Sequence, residues 1–365
     1  MNLSNTTIEN FLADDEGFYA DVDREANTTN LTSTVLVFYT TYNWDVVLAF
    51  LEGLRFKVGF FLWQRLSIVF AIISVIGNGF IIAVLAKGNK HFCSTSLFIL
   101  SLAVADLFVT GYYIDGFLTG NRVILTSYNS LDCKLRLLLS GLGNDASPLT
   151  LTLISIERVC CVVVPHKVKN MFTRKVAIFL ILAVWTISLA NTLLLAYINK
   201  YVMLGSGEGI CVIDTRATPV TYRIKFFTGF FLRYGSWLVN IICTVIIIRS
   251  LLHNSFVRKG KSVKTPVKSV TLSLLTVNIV YFLFVTPMVM YDGYTVLFVT
   301  QRKSIFEIYN HLIENVILKF FSLLNNVLNF FIYFLIGAKF RQESKEFLLS
   351  FKVFRMCHHK ITLIK

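Results

Sequence analysis

CKLRLLLSGLGNDASPLTLTLISIERVCCVVVP, residues Cys133 to Pro165, is the stretch that decides the fold. It is long enough to cross a bilayer, because about 20 apolar residues rising about 1.5 Å each span the hydrocarbon. A cysteine opens it, Asn144 and Asp145 sit near its middle, and Glu157-Arg158 closes it seven residues before a proline. Charge at the bilayer centre is expensive, so the Glu157-Arg158 pair belongs at a water-facing end. Cys133 and Arg158 therefore mark opposite ends of one spanning helix.

The rest of the chain supplies the company such a helix needs. Of its 365 residues 55% are hydrophobic and 33 are phenylalanine. With a mean hydropathy of +0.66, this is not the composition of a soluble domain. Seven long apolar stretches can be read, at roughly 61 to 86, 95 to 117, 132 to 163, 174 to 198, 222 to 250, 268 to 298 and 309 to 336. The expected fold is an all-α membrane protein, a seven-helix transmembrane bundle. About 18 residues connect spans five and six, too few for a separate domain. No internal repeat is visible. The polar first 30 residues do not read as a cleavable signal peptide, so the first span acts as its own insertion signal.

A net charge of +14 raises nucleic acid as a partner, and its distribution argues against one. Basic residues crowd alternate loops: Lys87 and Lys90, then Lys167, Lys169, Arg174 and Lys175, then Arg249, Arg258, Lys259, Lys261, Lys264 and Lys268. The tail adds Lys339, Arg341, Lys345, Lys352, Arg355, Lys360 and Lys365. If the spans alternate, all lie on one side, which the positive-inside rule makes cytoplasmic. Anionic headgroups of the lipid bilayer are the bland account of them, with a specific anion site as the rival. The N-terminus is then outside and the C-terminus inside.

Residues 1 to 60 fit an extracellular, glycosylated tail, with Asn-x-Ser/Thr sequons at Asn2, Asn5, Asn27 and Asn30. The tail is acidic (Glu9, Asp14, Asp15, Glu16, Asp21, Asp23 and Glu25 against Arg24). It reads either as a solvated leader or as an electrostatic collector for a cationic ligand. Trp44, Val47, Leu48, Leu51 and Leu54 recur at helical spacing, which predicts an amphipathic helix over 44 to 56. Arg55, Lys57 and Arg65 put positive charge on the outer flank, against the orientation drawn here. The inner charges and the sequons outweigh them.

The Cys133 to Arg158 layout resembles the third transmembrane helix of rhodopsin-like (class A) G-protein-coupled receptors. That family has a cysteine at the outer end, an acidic-Arg-aromatic triplet at the inner end and a proline in the next loop. Here the separations are 25 and 7 residues, as in the family, with Val159 in the aromatic position. Further landmarks come in order. Gly77-Asn78 lies in span one, Leu102 to Asp106 in span two, Trp185 in span four, Pro287 in span six and Asn329-Phe330-Phe331-Ile332-Tyr333 at the end of span seven. The basic amphipathic stretch Ala338 to Leu349 is similar to the family's short eighth helix. Several positions depart from the pattern. Pro148 stands where an aliphatic residue is usual, Gly235 where span five has a proline, and Cys243 where a tyrosine is common. Val285 replaces the tryptophan of span six, and Val267 the acid that in some relatives holds the arginine.

The resemblance implies a plasma-membrane receptor over 61 to 336 with a cytoplasmic tail over 337 to 365 and no catalysis of its own. An extracellular ligand would act through Glu157, Arg158, Pro287, Asn329 and Tyr333 on a heterotrimeric G protein. By resemblance Asp106, Ser147, Asn325 and Asn329 match a pocket for an allosteric Na⁺, with a purely structural hydrogen-bonded network as the rival; no other cofactor is implied. Cys211, in the loop after span four, is the natural partner of Cys133 in an oxidising exterior. Cys357 is open to palmitoylation or to a free thiol. Tyr19 lies in the acidic run, as sulfated tyrosines in some receptor tails do.

Ser140 stands where amine receptors carry an Asp, which argues against a monoamine. The outer halves of the helices hold Tyr113, Asp115, Arg136, Ser140, Asp145, Arg233, Tyr291, Asp292 and Lys319 as ligand-binding candidates, with Tyr112 and Tyr294 nearby. A mixed-sign, tyrosine-lined cavity suits an extracellular short peptide first and an amino acid or other small charged zwitterion next; mutual ion pairing is the bland account of each charge. Lys319 is out of register for a retinal lysine, a position held here by Leu323. Within the family the short inner loops look similar to invertebrate-type neuropeptide or chemosensory receptors. The rivals are a non-coupling receptor relative and a membrane channel or transporter, the latter lacking paired interrupted helices. Scattered histidines without HExxH spacing argue against an enzyme.

Overall fold

The chain in the computed structural model is described for residues 61–88, 93–118, 126–127, 129–204, 208–213, 224, 227–257, 266–298 and 305–350. Among the described residues seven helices are long and apolar enough to cross a membrane. They are α1 (Ser67–Gly88), α2 (Ser94–Leu118), α3 (Ser130–Val163), α4 (Arg174–Ile198), α5 (Ser236–Val257), α6 (Pro266–Phe298) and α7 (Ile305–Ile336), and α8 (Ala338–Leu349) follows. The sequons, the 44 to 56 segment, Tyr19 and Cys357 lie outside the described residues.

Lipid offers the backbone no hydrogen bonds, so each span closes its own ladder as a helix. The ends are fixed by side chains. At the start of α3 the Asn129 side chain accepts from the Asp132 amide at 2.8 Å, and Asp132 in turn accepts from Arg136 Nε at 2.8 Å. Thr173 caps α4 by accepting from the Val176 amide at 3.4 Å. Between α3 and α4 a short helix, Pro165–Met171, begins on a proline whose missing N–H is not needed there. α5 runs to Val257 and α6 begins at Pro266, so their connection is shorter than the spacing predicts.

Large apolar side chains such as Ile76, Phe179, Leu182 and Leu283 face outward, while Asn78, Asp106, Ser147 and Asn329 are buried inside. The bundle is thus polar at its centre and apolar at its rim, the arrangement expected where lipid replaces water outside. α2 and α3 approach closely at Gly143, where a Cβ would come within 2.6 Å of the Val109 backbone nitrogen. α8 is held by aromatic packing: Phe80 of α1 meets Phe330, Phe340 and Phe347 edge-on at 5.7, 6.4 and 5.8 Å. Lys87 adds a hydrogen bond to Ser350 at 2.6 Å and sits 5.4 Å from the Phe347 ring centre.

Two features were not anticipated. The Cys133 end of the bundle carries an antiparallel three-stranded sheet in the order β1, β3, β2, made of β1 (Thr126–Ser127), β2 (Asn199–Leu204) and β3 (Glu208–Ile213). Tyr201 pairs with Cys211 in the β2–β3 hairpin, and Cys211 is disulfide-bonded to Cys133 with Cα atoms 5.7 Å apart. The hairpin is therefore pinned to the first turn of α3. The second feature is a widened π turn ahead of two helices, at Phe61–Leu66 before α1 and at Phe231–Gly235 before α5. In the latter, Ser236 Oγ donates to the Leu232 and Arg233 carbonyls at 2.5 and 3.1 Å, and the Ser236 amide also donates to the Arg233 carbonyl.

Candidate functional site

A cavity of about 280 Å³ opens between the helices toward the Cys133 end. Tyr112 and Tyr113 come from α2, Ser140, Asn144 and Pro148 from α3, Arg233 from the π turn before α5, Met288 and Val289 from α6, and Lys319 from α7. Pro148 lies inside α3 and cannot donate to the carbonyl four residues back, that of Asn144, which also lines the cavity. Tyr113 spans α2 and α7, its hydroxyl donating to the Lys319 carbonyl at 2.6 Å.

Of the ligand-binding candidates, the structure brings Tyr113, Ser140, Arg233 and Lys319 to this cavity. Arg136 instead holds Asp132 on its own helix. Asp145 faces α4, accepting from Asn191 Nδ2 at 2.5 Å, while Asn191 Oδ1 accepts from Thr228 at 2.9 Å. Tyr291 is half-buried on α6 away from the described lining. The side chains of Asp115 and Asp292 lie outside the described residues. Among the described lining residues the charges are Arg233 and Lys319, both positive, so the mixed-sign lining expected from the sequence is not what these residues form.

The floor of the cavity is a buried polar cluster centred on Asp106. Ser147 Oγ donates to Asp106 Oδ1 at 2.8 Å and Asn329 Nδ2 to Asp106 Oδ2 at 2.6 Å. Thr110 donates to the Asp106 carbonyl at 2.7 Å and shares a 2.7 Å hydrogen bond with Ser74. Asn78 continues the thread, donating to Ser74 at 3.1 Å and to the Asn326 carbonyl at 3.3 Å. Four helices, α1, α2, α3 and α7, are tied through this one cluster. The side-chain oxygens of Asn325 and Asn329 are buried without a hydrogen-bond partner. A carboxylate beside free amide oxygens fits a hard cation such as Na⁺.

A second cavity, again about 280 Å³, lies at the other end and brings Arg158 of α3 and Tyr333 of α7 to one wall, with Lys339 and Glu343 of α8 at its edge. Arg158 Nη2 donates to Glu157 at 2.8 Å and to Thr95 at 2.5 Å. Glu157 also accepts from Ser94 and, through both oxygens, from Thr95 at 3.0 and 2.9 Å. Arg158 Nε and the Tyr333 hydroxyl are buried without partners. Ser94 and Thr95 were not legible as site residues, since hydroxyls are common in membrane helices and no spacing marks these two.

Between the cavities, α6 is held by α3 and α5. Asn278 Nδ2 donates to Ser155 at 2.9 Å and to Thr244 at 3.3 Å. Asn240 of α5 donates to Thr152 of α3 at 3.0 Å. Beside Pro287, Trp237 Nε1 donates to Thr286 at 3.0 Å and the Tyr234 hydroxyl to the Val289 carbonyl at 2.7 Å. An indole therefore does meet the span-six proline region, but it comes from α5 and not from position 285.

Comparison with known proteins agrees with this architecture. Residues 77–333 match the family described as "7 transmembrane receptor (rhodopsin family)". The neuropeptide FF receptor 1 of Rattus norvegicus is 30% identical over 118 residues, covering 32% of this chain and 27% of that protein. The somatostatin receptor type 3 of Rattus norvegicus is 26% identical over 184 residues, 50% of this chain and 42% of the relative. The human (Homo sapiens) hydroxycarboxylic acid receptor 3 is 25% identical over 227 residues, 60% and 54% respectively. The chain thus spans between about a quarter and about half of the length of these curated relatives.

Proposed function

Because the chain belongs to the rhodopsin family of seven-transmembrane receptors, we propose that it binds a short extracellular peptide in the Arg233 and Lys319 cavity and activates a heterotrimeric G protein at the Arg158 end. One observation carries this reading: Ser147 and Asn325 line the cavity, and Ser147 is also a hydrogen-bond partner of Asp106. A ligand that repacks the cavity floor therefore acts directly on the cluster that ties α7, and with it Tyr333, to α2 and α3. The names of two relatives, a neuropeptide FF and a somatostatin receptor, support a peptide. An amino acid or other small zwitterion is the second reading, favoured by the modest cavity volume.

The orientation proposed is a plasma-membrane protein with residues 1 to 60 outside, glycosylated at Asn2, Asn5, Asn27 and Asn30, and residues 337 to 365 inside. The sequons and the basic inner loops support it. Agonist favours one of two bundle states by binding it more tightly. In the resting state Glu157 and Thr95 hold Arg158, and Ser94 holds Glu157. In the active state the inner end of α6 leaves α3, Arg158 is released and Tyr333 finds a partner for its hydroxyl. Pro287 supplies the bend about which α6 moves, and Asn329 links that end to Asp106. Asp106, Ser147, Asn325 and Asn329 would hold a sodium ion, whose charge would offset the buried carboxylate.

The test is expression with a promiscuous G protein and a calcium readout against pooled neuropeptides and amino acids. The wild type responds, and Arg158→Ala, present at the surface in equal amount, does not. Unchanged signalling from Arg158→Ala sinks the coupling role, and a ligand-independent current would assign a channel instead.

A further inference from the structure

Resting on the receptor reading, we propose that the cavity recognises its ligand through a carboxylate, received by Lys319 and Arg233. The two cations come from different helices, α7 and the turn before α5, and line one cavity. Of the carboxylates expected to give the cavity mixed sign, Asp145 is turned to α4 and engaged by Asn191, while the side chains of Asp115 and Asp292 lie outside the described residues. Lys319 lies near the outer end of the apolar stretch Ile317–Ile336, and among the described residues no carboxylate pairs with it. Its turn is fixed by the Tyr113 hydroxyl on its carbonyl, so the lysine is held at the wall. A cation at this depth is favourable only with a counter-charge, and a ligand anion provides one.

The remaining lining sets the body of that ligand. Tyr112 and Tyr113 stand edge to face at 5.6 Å on the α2 wall, giving an aromatic or aliphatic group a surface beside the charge. At about 280 Å³ the cavity is at the small end of ligand pockets, which run to roughly 1,000 Å³. It holds the end of a peptide or one acidic side chain, not the length of a peptide. The shared chemistry is therefore an aryl or alkyl carboxylate, whether a free C-terminus, an Asp or Glu side chain, or a small acid.

The probe is 3-phenylpropionate, compared with its uncharged amide, in thermal unfolding of the purified full-length receptor. The acid is expected to raise the melting temperature at a concentration at least tenfold below any effect of the amide. That gain is lost in Lys319→Gln and kept in Lys319→Arg. Equal shifts for acid and amide, no shift for either, or an acid shift that survives both Lys319→Gln and Arg233→Gln would overturn the proposal. If Lys319→Gln does not fold, Arg233→Gln alone decides. Peptides made as free acid, as C-terminal amide, and with Asp or Glu changed to Asn or Gln then separate the sources of the carboxylate. Because the readout is binding, an acid-selective shift without any G-protein response refutes the coupling reading alone. Signalling by ligands indifferent to acid or amide refutes the carboxylate alone.

Discussion

A single hydroxyl, that of Thr95 on α2, reaches both carboxylate oxygens of Glu157 on α3, at 3.0 and 2.9 Å. The same oxygen accepts from Arg158 at 2.5 Å, so Thr95 closes a ring of three side chains across two helices. Hydrogen bonds to charged groups contribute about 1.5–3 kcal/mol each. Thr95→Val, which keeps the shape and removes the hydroxyl, is expected to raise ligand-free signalling by about tenfold, the equivalent of 1.4 kcal/mol. The check is basal second-messenger output at matched surface expression; a fall in basal output would show that Thr95 supports the active state instead.

Asn278, about three turns along α6 from Val267, ties that helix to two neighbours. Its amide joins Ser155 of α3 to Thr244 of α5. Asn278→Ala leaves two buried hydroxyls without this partner, a loss of about 1–3 kcal/mol. The expected result is a lower melting temperature in detergent together with higher basal signalling. A variant that melts like the wild type would remove Asn278 as a tie between these helices.

Two glycines make a paired test of the α2–α3 contact. A Cβ at Gly143 would lie 2.6 Å from Val109 N and 3.0 Å from Ala105 O, both backbone, whereas one at Gly111 meets nothing within 4 Å. Gly143→Ala should destabilise by about 1–3 kcal/mol through overpacking. Gly111→Ala should be neutral or stabilising by up to about 1 kcal/mol through helix propensity. Thermal unfolding of the two variants checks this, and equal effects would refute the close approach.

The docking of α8 should depend on pH through Glu343. Burial raises its carboxyl above the ordinary carboxylate range and nearby Glu346 pushes it further, while Lys339, 3.7 Å away, pulls it down. A raised value in the folded state means the fold favours the protonated form. Stability is therefore greatest below the unfolded value, about 4.3, and is lost as pH rises through the folded one. Glu343→Gln should protect α8 amides from hydrogen exchange better than the wild type at pH 7, with the gap closing near pH 4. Poorer protection of the variant at pH 7 would mean that the Lys339 pair outweighs burial.

Most of the bundle could be read from the chain because lipid leaves few alternatives: a run of about 20 apolar residues must be a helix. α3, α4 and α8 begin and end within two residues of where the sequence placed them. What was hard to read is rotation. Asn144 and Asp145 are neighbours in sequence and stand about 100° apart around the helix. One lines the cavity and the other binds α4. Both are polar and adjacent, so residue type alone does not say which faces the cavity. The hairpin was hidden for another reason. β2 and β3 pair with each other, and what seats the hairpin on this end of the bundle is the Cys133–Cys211 bond and β1, contacts distant in the chain.

The widened turn at Phe231–Gly235 sets α5 apart from the residues that precede it in a way that bears on how such a protein can diversify. One extra residue in a turn swings everything before it by about 100° and leaves everything after it in place. Arg233 lies within that turn, while Asn240, Cys243 and Thr244 follow it in regular helix. A one-residue insertion or deletion there would point a different side chain into the cavity while the seam with α3 and α6 kept its register. On the proposed reading, the lining of the Arg233 and Lys319 cavity can thus change without disturbing the end of the bundle that carries Arg158 and Tyr333.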